Sequence, residues 1–288
     1  MERILLLSPN SSDVMKKIPK YHSIIIKHFP DGENYIRIPI DCRGKDVTVL
    51  HRCYPEQDKS LIQLFLILKT LKESGASSIR AVVPYMPYAR QDKLFLKGEA
   101  MSSKIICELI KKSGCDELIT FDCHFLKKEG RFTYGGLSIK NISLSHAIIS
   151  YFKGKLHSPK IISPDEGASY FLAREKDKGV MKKTRGAYSK GGTVYREPEE
   201  LEANFDARGR DVVIVDDIIG TGSTMLKAVE ACRKLGAKSI SCGASHGLFL
   251  NDSLKKLKRA GAKEVIASNS IKSPASRINI LDSLIGVV

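Results

Sequence analysis

Strand-like apolar runs alternate with helical stretches along the 288 residues, and this order predicts an α/β protein with mainly parallel sheets flanked by helices. Two further observations refine the prediction. Val212-Val-Ile-Val215 is continuously apolar, as a strand buried in a parallel sheet is, and a helical pattern follows it. The glycine pair Gly135-Gly136 opens a boundary near 134–146 that divides the chain into two similar α/β halves. The first domain is expected over 1–141 and the second over 142–275, with the closing segment 276–288 packing back on the first.

Strands are expected near 3–7, 23–27, 47–51, 79–83, 118–121, 161–163, 212–215, 239–243 and 264–267. Ser60-Leu-Ile-Gln63 has the form of a capping box opening a long amphipathic helix that ends near Gly75. Ser102 or Ser103 suits the cap of the next helix, closed by Gly114. Further helices fall near 144–153, 166–175, 223–235 and 252–260. Residues 176–198 lack apolar periodicity and are rich in Lys, Gly, Arg and Thr, the pattern of a basic flap inserted in a compact domain.

A chain of this length can bury a sizeable core, and 42% hydrophobic with 27% charged residues is a globular balance. The net charge of +15 calls for anionic partners, either nucleic acid or phosphorylated metabolites. Basic residues are spread along the chain without a Lys/Arg block, which makes nucleic acid the weaker expectation. Seven cysteines with no Cys-x-x-Cys pair suggest neither a disulfide framework nor a zinc site. The absence of a signal-peptide pattern or a membrane-length apolar stretch leads us to expect a cytoplasmic protein without membrane association.

Residues 212–224 carry the most chemistry. The apolar strand ends in Asp216 and Asp217, and the loop Gly220-Thr221-Gly222-Ser223-Thr224 leads into a helix. Loop amides, hydroxyls and a helix N-terminus favour a phosphate. Two carboxylates repel one, and suit sugar hydroxyls or a divalent metal instead. Phosphate at one end and a diol at the other describe a ribose 5-phosphate; the alternative is an ordinary turn in which the acids cap the helix. Neither a P-loop nor a Gly-x-Gly-x-x-Gly fingerprint is present.

Other segments leave strands in the same way. In Pro84 to Lys93, Arg90 and Lys93 suit phosphates and Gln91 a purine or ribose; a solvated loop is the plainer reading. His124, after Phe121-Asp-Cys, suits a metal or phosphate contact or a structural hydrogen bond. Asp165 suits either an N-cap or Mg²⁺ beside a triphosphate. Phe29-Pro-Asp31-Gly-Glu33 reads as a turn between two strands.

The loop 215–224 resembles the phosphoribosyl-diphosphate loop of phosphoribosyltransferases and ribose-phosphate diphosphokinases, although Gly220 stands where many members carry a third acid. With Phe29 to Glu33, Tyr88 to Lys93, Phe121 to His124, Ser163 to Ala168 and Lys183 to Arg185 in the same order, nearly the whole chain resembles the diphosphokinase family. That resemblance implies two phosphoribosyltransferase-type domains and transfer of the β,γ-diphosphoryl group of MgATP to the C1 hydroxyl of ribose 5-phosphate. It implies ATP contacts at Phe29, Asp31, Glu33, Arg90, Gln91 and His124, with Mg²⁺ at His124 and Asp165. Lys183 and Arg185 become the catalytic pair of the flap. Asp216 and Asp217 take the ribose hydroxyls, and Thr221, Gly222, Ser223 and Thr224 the 5-phosphate. It also implies a homo-oligomer, at least a dimer, whose adenine site is shared between subunits. The competing readings are a phosphoribosyltransferase that consumes the diphosphate and a non-catalytic binding protein of the same fold.

Overall fold

The computed structural model describes residues 2–14, 20–184, 200–203 and 205–285. It separates into two compact units, Met1–Ile142 with Asn279–Val288, and Ser143–Ile278.

In the first unit the strands are β1 (Arg3–Leu7), β2 (His22–Ser23), β3 (Ile25–His28), β4 (Asn34–Arg37), β5 (Asp46–Leu50), β6 (Ser78–Val82), β7 (Glu117–Phe121), β8 (Gly130–Tyr134) and β9 (Leu137–Ile142). The helices are α1 (Gln57–Glu73) and α2 (Ser102–Lys112). Seven strands form one sheet in the order β2-β1-β5-β6-β7-β9-β8, parallel except for the β8–β9 pair. β3 and β4 form a separate antiparallel ribbon. Leu61, Leu64, Leu68 and Leu71 recur at helical spacing along α1 and are buried with Val47, Val49, Ile79 and Leu118 of the sheet.

The second unit opens with α3 (Ser145–Lys153) and β10 (Lys160–Ser163). β11 (Lys178–Thr184), β12 (Glu200–Ala203), β13 (Asp211–Ile219), α4 (Ser223–Lys234) and β14 (Ser239–Gly247) follow. α5 (Ser253–Arg259), β15 (Ala262–Ser268) and β16 (Ser276–Ile278) complete it, and a short α6 (Leu281–Leu284) belongs to the first unit. The sheet order is β12-β11-β10-β13-β14-β15-β16, with only the β11–β12 pair antiparallel. Val212, Ile214, Ile240 and Cys242 pack against Met225, Ala228, Val229 and Cys232 of α4. All seven cysteines are buried and free, and burial raises the thiol pKa of Cys107 to about 12.

Four local expectations change. α1 begins at Gln57, one turn before the supposed capping box, so Ser60 is a buried helix-interior residue. Its carbonyl accepts a 2.9 Å hydrogen bond from His51 Nε2. Gly135 and Gly136, both at positive φ, turn a hairpin between β8 and β9 and so lie inside the first unit's sheet. Residues 166–172 form a 3₁₀ helix instead of an α-helix, a tighter coil suited to a short segment interrupted by Gly167. Finally, both flanks of the supposed flap are strands, because β11 and β12 pair as an antiparallel ribbon.

Among the described residues no helix is long and apolar enough to cross a membrane.

Candidate active site

β13 is a nine-residue strand between β10 and β14; after Asp211 at its start, only Asp216 and Asp217 carry charge, and Ile218 and Ile219 continue the strand beyond them. Asp217 is buried at 9% exposure, while Asp216 is partly exposed. The Asp217 amide donates to Asp216 Oδ1 at 2.8 Å within the strand. Enclosure by protein, the Asp217 carboxylate and the Asp165 carboxylate, in that order, hold the Asp216 carboxyl well above the usual range. A site of this kind repels anions and stabilises protons, hydroxyl donors or cations.

The chain then turns at Gly220 and Thr221 into α4. Gly222 is the N-cap, in a left-handed conformation at φ 78°, and no side chain caps the helix. First-turn amides that a Ser or Asp cap would occupy are therefore left for an anion. Thr221 Oγ1 and Ser223 Oγ lie 3.5 Å apart beside them. Gly222 also has no room for a side chain, since a Cβ there would lie 2.9 Å from Ser253 Cβ. Acid pair and amide cradle thus sit at opposite ends of one nine-residue stretch, Asp216 to Thr224.

Asp165 caps the 3₁₀ helix, its Oδ1 accepting from the Ala168 amide at 3.2 Å. Capping uses one carboxylate oxygen, and the same group bears electrostatically on Asp216. Lys183 is placed by the backbone of β11, opposite Leu201 of β12. Arg185 lies outside the described residues.

The remaining predicted residues belong to the first unit. Phe29 to Glu33 is the turn of the β3–β4 ribbon: the Phe29 amide donates to the Glu33 carbonyl and the Glu33 amide to Asp31 Oδ1. Phe29 is 50% exposed, edge-to-face with Tyr35 at 6.0 Å between centroids. Arg90 is exposed beyond β6. Gln91 is engaged within its own loop, where Nε2 donates to the Lys93 carbonyl and to Glu99 Oε2. His124 is half-buried after Asp122 and Cys123, both buried, at the end of β7.

Three contributors escaped sequence reasoning. Glu99 accepts the Phe95 and Leu96 amides at 2.6 and 3.1 Å and thereby shapes the loop holding Gln91, although eight residues separate it from Gln91. Tyr88 adopts φ 59° and its hydroxyl donates to Asp58. Asp122 adopts φ 34° while fully buried. Left-handed backbone at non-glycine residues concentrates at functional positions because surrounding contacts must hold it there. No local sequence pattern encodes it.

The donor set suits a hard divalent cation in part. Among the described residues no group of three or more His, Cys, Asp or Glu side chains is close enough to enclose a metal. The Asp217 and Asp165 carboxylates nevertheless raise the pKa of Asp216, a crowding that a cation would relieve, and Mg²⁺ commonly takes one or two carboxylates with the rest from water and phosphate.

Similarity to known proteins runs along the whole chain. The N-terminal domain of ribose phosphate pyrophosphokinase matches residues 12–114, and the phosphoribosyl transferase domain matches residues 147–280. The ribose-phosphate pyrophosphokinase of Sulfurisphaera tokodaii is 36% identical over 266 residues, covering 89% of this chain and 87% of its own. That of Pyrococcus abyssi is 34% identical over 291 residues, covering 99% and 98%. In fold, the chain is similar to phosphoribosylpyrophosphate synthetase from Mycobacterium smegmatis, with a TM-score of 0.83 at 23% identity, covering 100% of this chain and 97% of the other.

Proposed function

This chain belongs to the ribose-phosphate pyrophosphokinase family, and from that premise we propose that it makes 5-phospho-α-D-ribose 1-diphosphate and AMP from ATP and ribose 5-phosphate. The observation that carries the reading is the stretch Asp216 to Thr224, where an acid pair and an uncapped helix N-terminus lie at the two ends of nine residues, an arrangement that suits a phosphorylated sugar. The first-turn amides of α4 with the hydroxyls of Thr221, Ser223 and Thr224 receive the 5-phosphate. Asp216 and Asp217 accept hydrogen bonds from the ribose hydroxyls. The sugar is thereby held at both ends.

The C1 hydroxyl oxygen attacks the β-phosphorus of ATP and releases its proton to solvent, the bond from that phosphorus to the α-phosphate bridging oxygen breaks, and AMP leaves with that oxygen. The protein contributes position and charge, since phosphoryl transfer demands little covalent chemistry of its catalyst. Lys183 and Arg185 supply cations to the transferred diphosphoryl group. Phe29, Asp31, Glu33, Arg90, Gln91 and His124 are assigned to ATP, the first three across a subunit boundary in an oligomer. Asp165 and His124 are each assigned to Mg²⁺, which would neutralise phosphate charge.

³¹P NMR of the chain incubated with Mg²⁺, ATP and ribose 5-phosphate tests this. AMP and a sugar C1-diphosphate are the expected signals. Intact ATP in a folded, Mg²⁺-loaded sample would overturn it.

A further inference from the structure

The back of the phosphate loop is held by a segment to which neither resemblance nor motif assigns a role. Beyond β14 the chain runs Leu248, Phe249, Leu250, Asn251, Asp252 and Ser253. The Leu248 and Phe249 amides both donate to the Ile219 carbonyl, at 3.0 and 3.1 Å. The Leu250 amide donates to the Gly220 carbonyl at 3.0 Å, and Ser253 Oγ donates to the same oxygen at 3.1 Å. Four donors therefore converge on two consecutive loop carbonyls.

A trans peptide is planar, with its C=O and the next residue's N–H pointing in opposite directions. Fixing the Ile219 carbonyl thus fixes the Gly220 N–H, and fixing the Gly220 carbonyl fixes the Thr221 N–H. Both amides are turned away from the 248–253 segment. This is how a loop amide is held ready for an anion before the anion arrives, and preorganised donors of this kind need no reorganisation on binding.

The segment is built at a cost. Phe249, Asn251 and Asp252 all have positive φ, of 48°, 53° and 58°. Three non-glycine residues so close together in this region persist only where neighbouring contacts over-determine them. Phe249 makes one such contact, seating its ring where a Cβ on Gly247 would stand, 2.3 Å from the nearest ring atom. Ser253, with no exposure, is the first residue after this stretch, and its hydroxyl adds a side-chain bond to the loop.

We infer that Ser253 is a positioning residue for ribose 5-phosphate: through the Gly220 carbonyl it aims the Thr221 amide at the 5-phosphate. This rests on the ribose 5-phosphate reading of the loop. It assigns Ser253 no contact with substrate.

The test is a graded series, S253C and S253A, in steady-state assays with each substrate varied. Orienting hydrogen bonds of this kind are worth about 0.5–1.5 kcal/mol, so S253A should raise the KM for ribose 5-phosphate roughly 2–10-fold. S253C, with its weaker S–H donor, should fall between serine and alanine. The KM for MgATP should stay within about twofold of wild type, a split that general loss of structure would not produce. Calorimetric titration of ribose 5-phosphate, with Mg²⁺ and α,β-methylene-ATP present, should weaken by the same factor as KM rises. An unchanged KM for the sugar in S253A, or equal rises for both substrates, overturns the inference. A wild-type chain that binds no ribose 5-phosphate overturns the underlying reading instead. Should S253A fail to fold, S253C carries the same comparison.

Discussion

Gly222→Ala is the sharpest steric test of the phosphate loop. Two separable penalties follow from the structure. The residue sits at φ 78°, which costs an L side chain roughly 1–2 kcal/mol. Its new Cβ would also lie 2.9 Å from Ser253 Cβ, closer than carbon atoms approach, and overpacking of this kind costs about 1–3 kcal/mol. Gly209, in the same unit at φ 68°, has nothing within 4 Å of its would-be Cβ, so Gly209→Ala carries the first penalty alone. The difference between the two variants should therefore be about 1–3 kcal/mol. Hydrogen-exchange mass spectrometry on β13 and β14 peptides reads the stability of this unit directly. Adding Ser253→Gly removes the clashing carbon, so the double variant should recover about 1–2 kcal/mol beyond additivity. A G222A protein no less stable than G209A, or a cycle with no coupling, would refute the steric reasoning.

Four further outcomes are expected. Lys183→Ala and Arg185→Ala should each lower kcat about 10²–10³-fold with little change in the KM for ribose 5-phosphate, measured by AMP release; spared kcat with weakened sugar binding would remove them from the flap's chemistry. Because the folded state raises the Asp216 pKa, its contribution to stability is present below the unfolded value and is lost as pH rises through the folded one. Asp216→Asn should therefore melt higher than wild type near pH 8 without ligand, while losing turnover; equal melting temperatures would contradict the crowding of three carboxylates. His51 has the opposite sign: burial lowers its pKa from 6.5 to about 4, so stability is present above 6.5 and is lost as pH falls toward 4, by about 3 kcal/mol at most. His51→Gln, with a donor for the Ser60 carbonyl, should flatten that acid limb of a urea-midpoint series. Gly243→Ala would push a methyl to 2.5 Å from Ile148 Cγ2 where α3 packs on β14, and should cost about 1–3 kcal/mol in thermal unfolding.

How much of this was legible in the sequence depended on whether the signal was local. The strand-then-helix period around 212–235 is local, and so were the acid pair and the glycine–hydroxyl loop; β13 and α4 fall there. The β8–β9 hairpin was missed because Gly135-Gly136 reads equally as a linker, and only the pairing of Tyr134 with Leu137 decides for a turn. α1 started early because tertiary contact outweighed the capping pattern: His51 reaches the carbonyl of the supposed cap residue. Ser253 was invisible in its role, since its bond spans 33 residues and a serine at a helix start is ordinarily a cap. The same holds for Glu99, whose acceptance of two loop amides depends on how its own loop folds back.

The two units place opposite chemistry at one topological position. In each sheet six parallel strands run consecutively, β2-β1-β5-β6-β7-β9 in the first and β11-β10-β13-β14-β15-β16 in the second. β5 and β13 are thus equivalent, and each leads into the longest helix of its unit, α1 and α4. Where β13 carries Asp216 and Asp217 in its last four residues, β5 is followed directly by His51 and Arg52, both buried. Arg52 turns inward, its NH1 donating to Asp13 Oδ1 at 2.6 Å and to the Asn10 carbonyl at 3.2 Å. His51 gives its Nε2–H to Ser60 inside α1, a bond that ties strand to helix where the second unit keeps an open loop. The fold alone therefore does not decide the chemistry of this corner. The residues just beyond the strand decide: an inward-facing, hydrogen-bonded pair closes the corner in the first unit, while crowded carboxylates and an uncapped helix leave it open to ligand in the second.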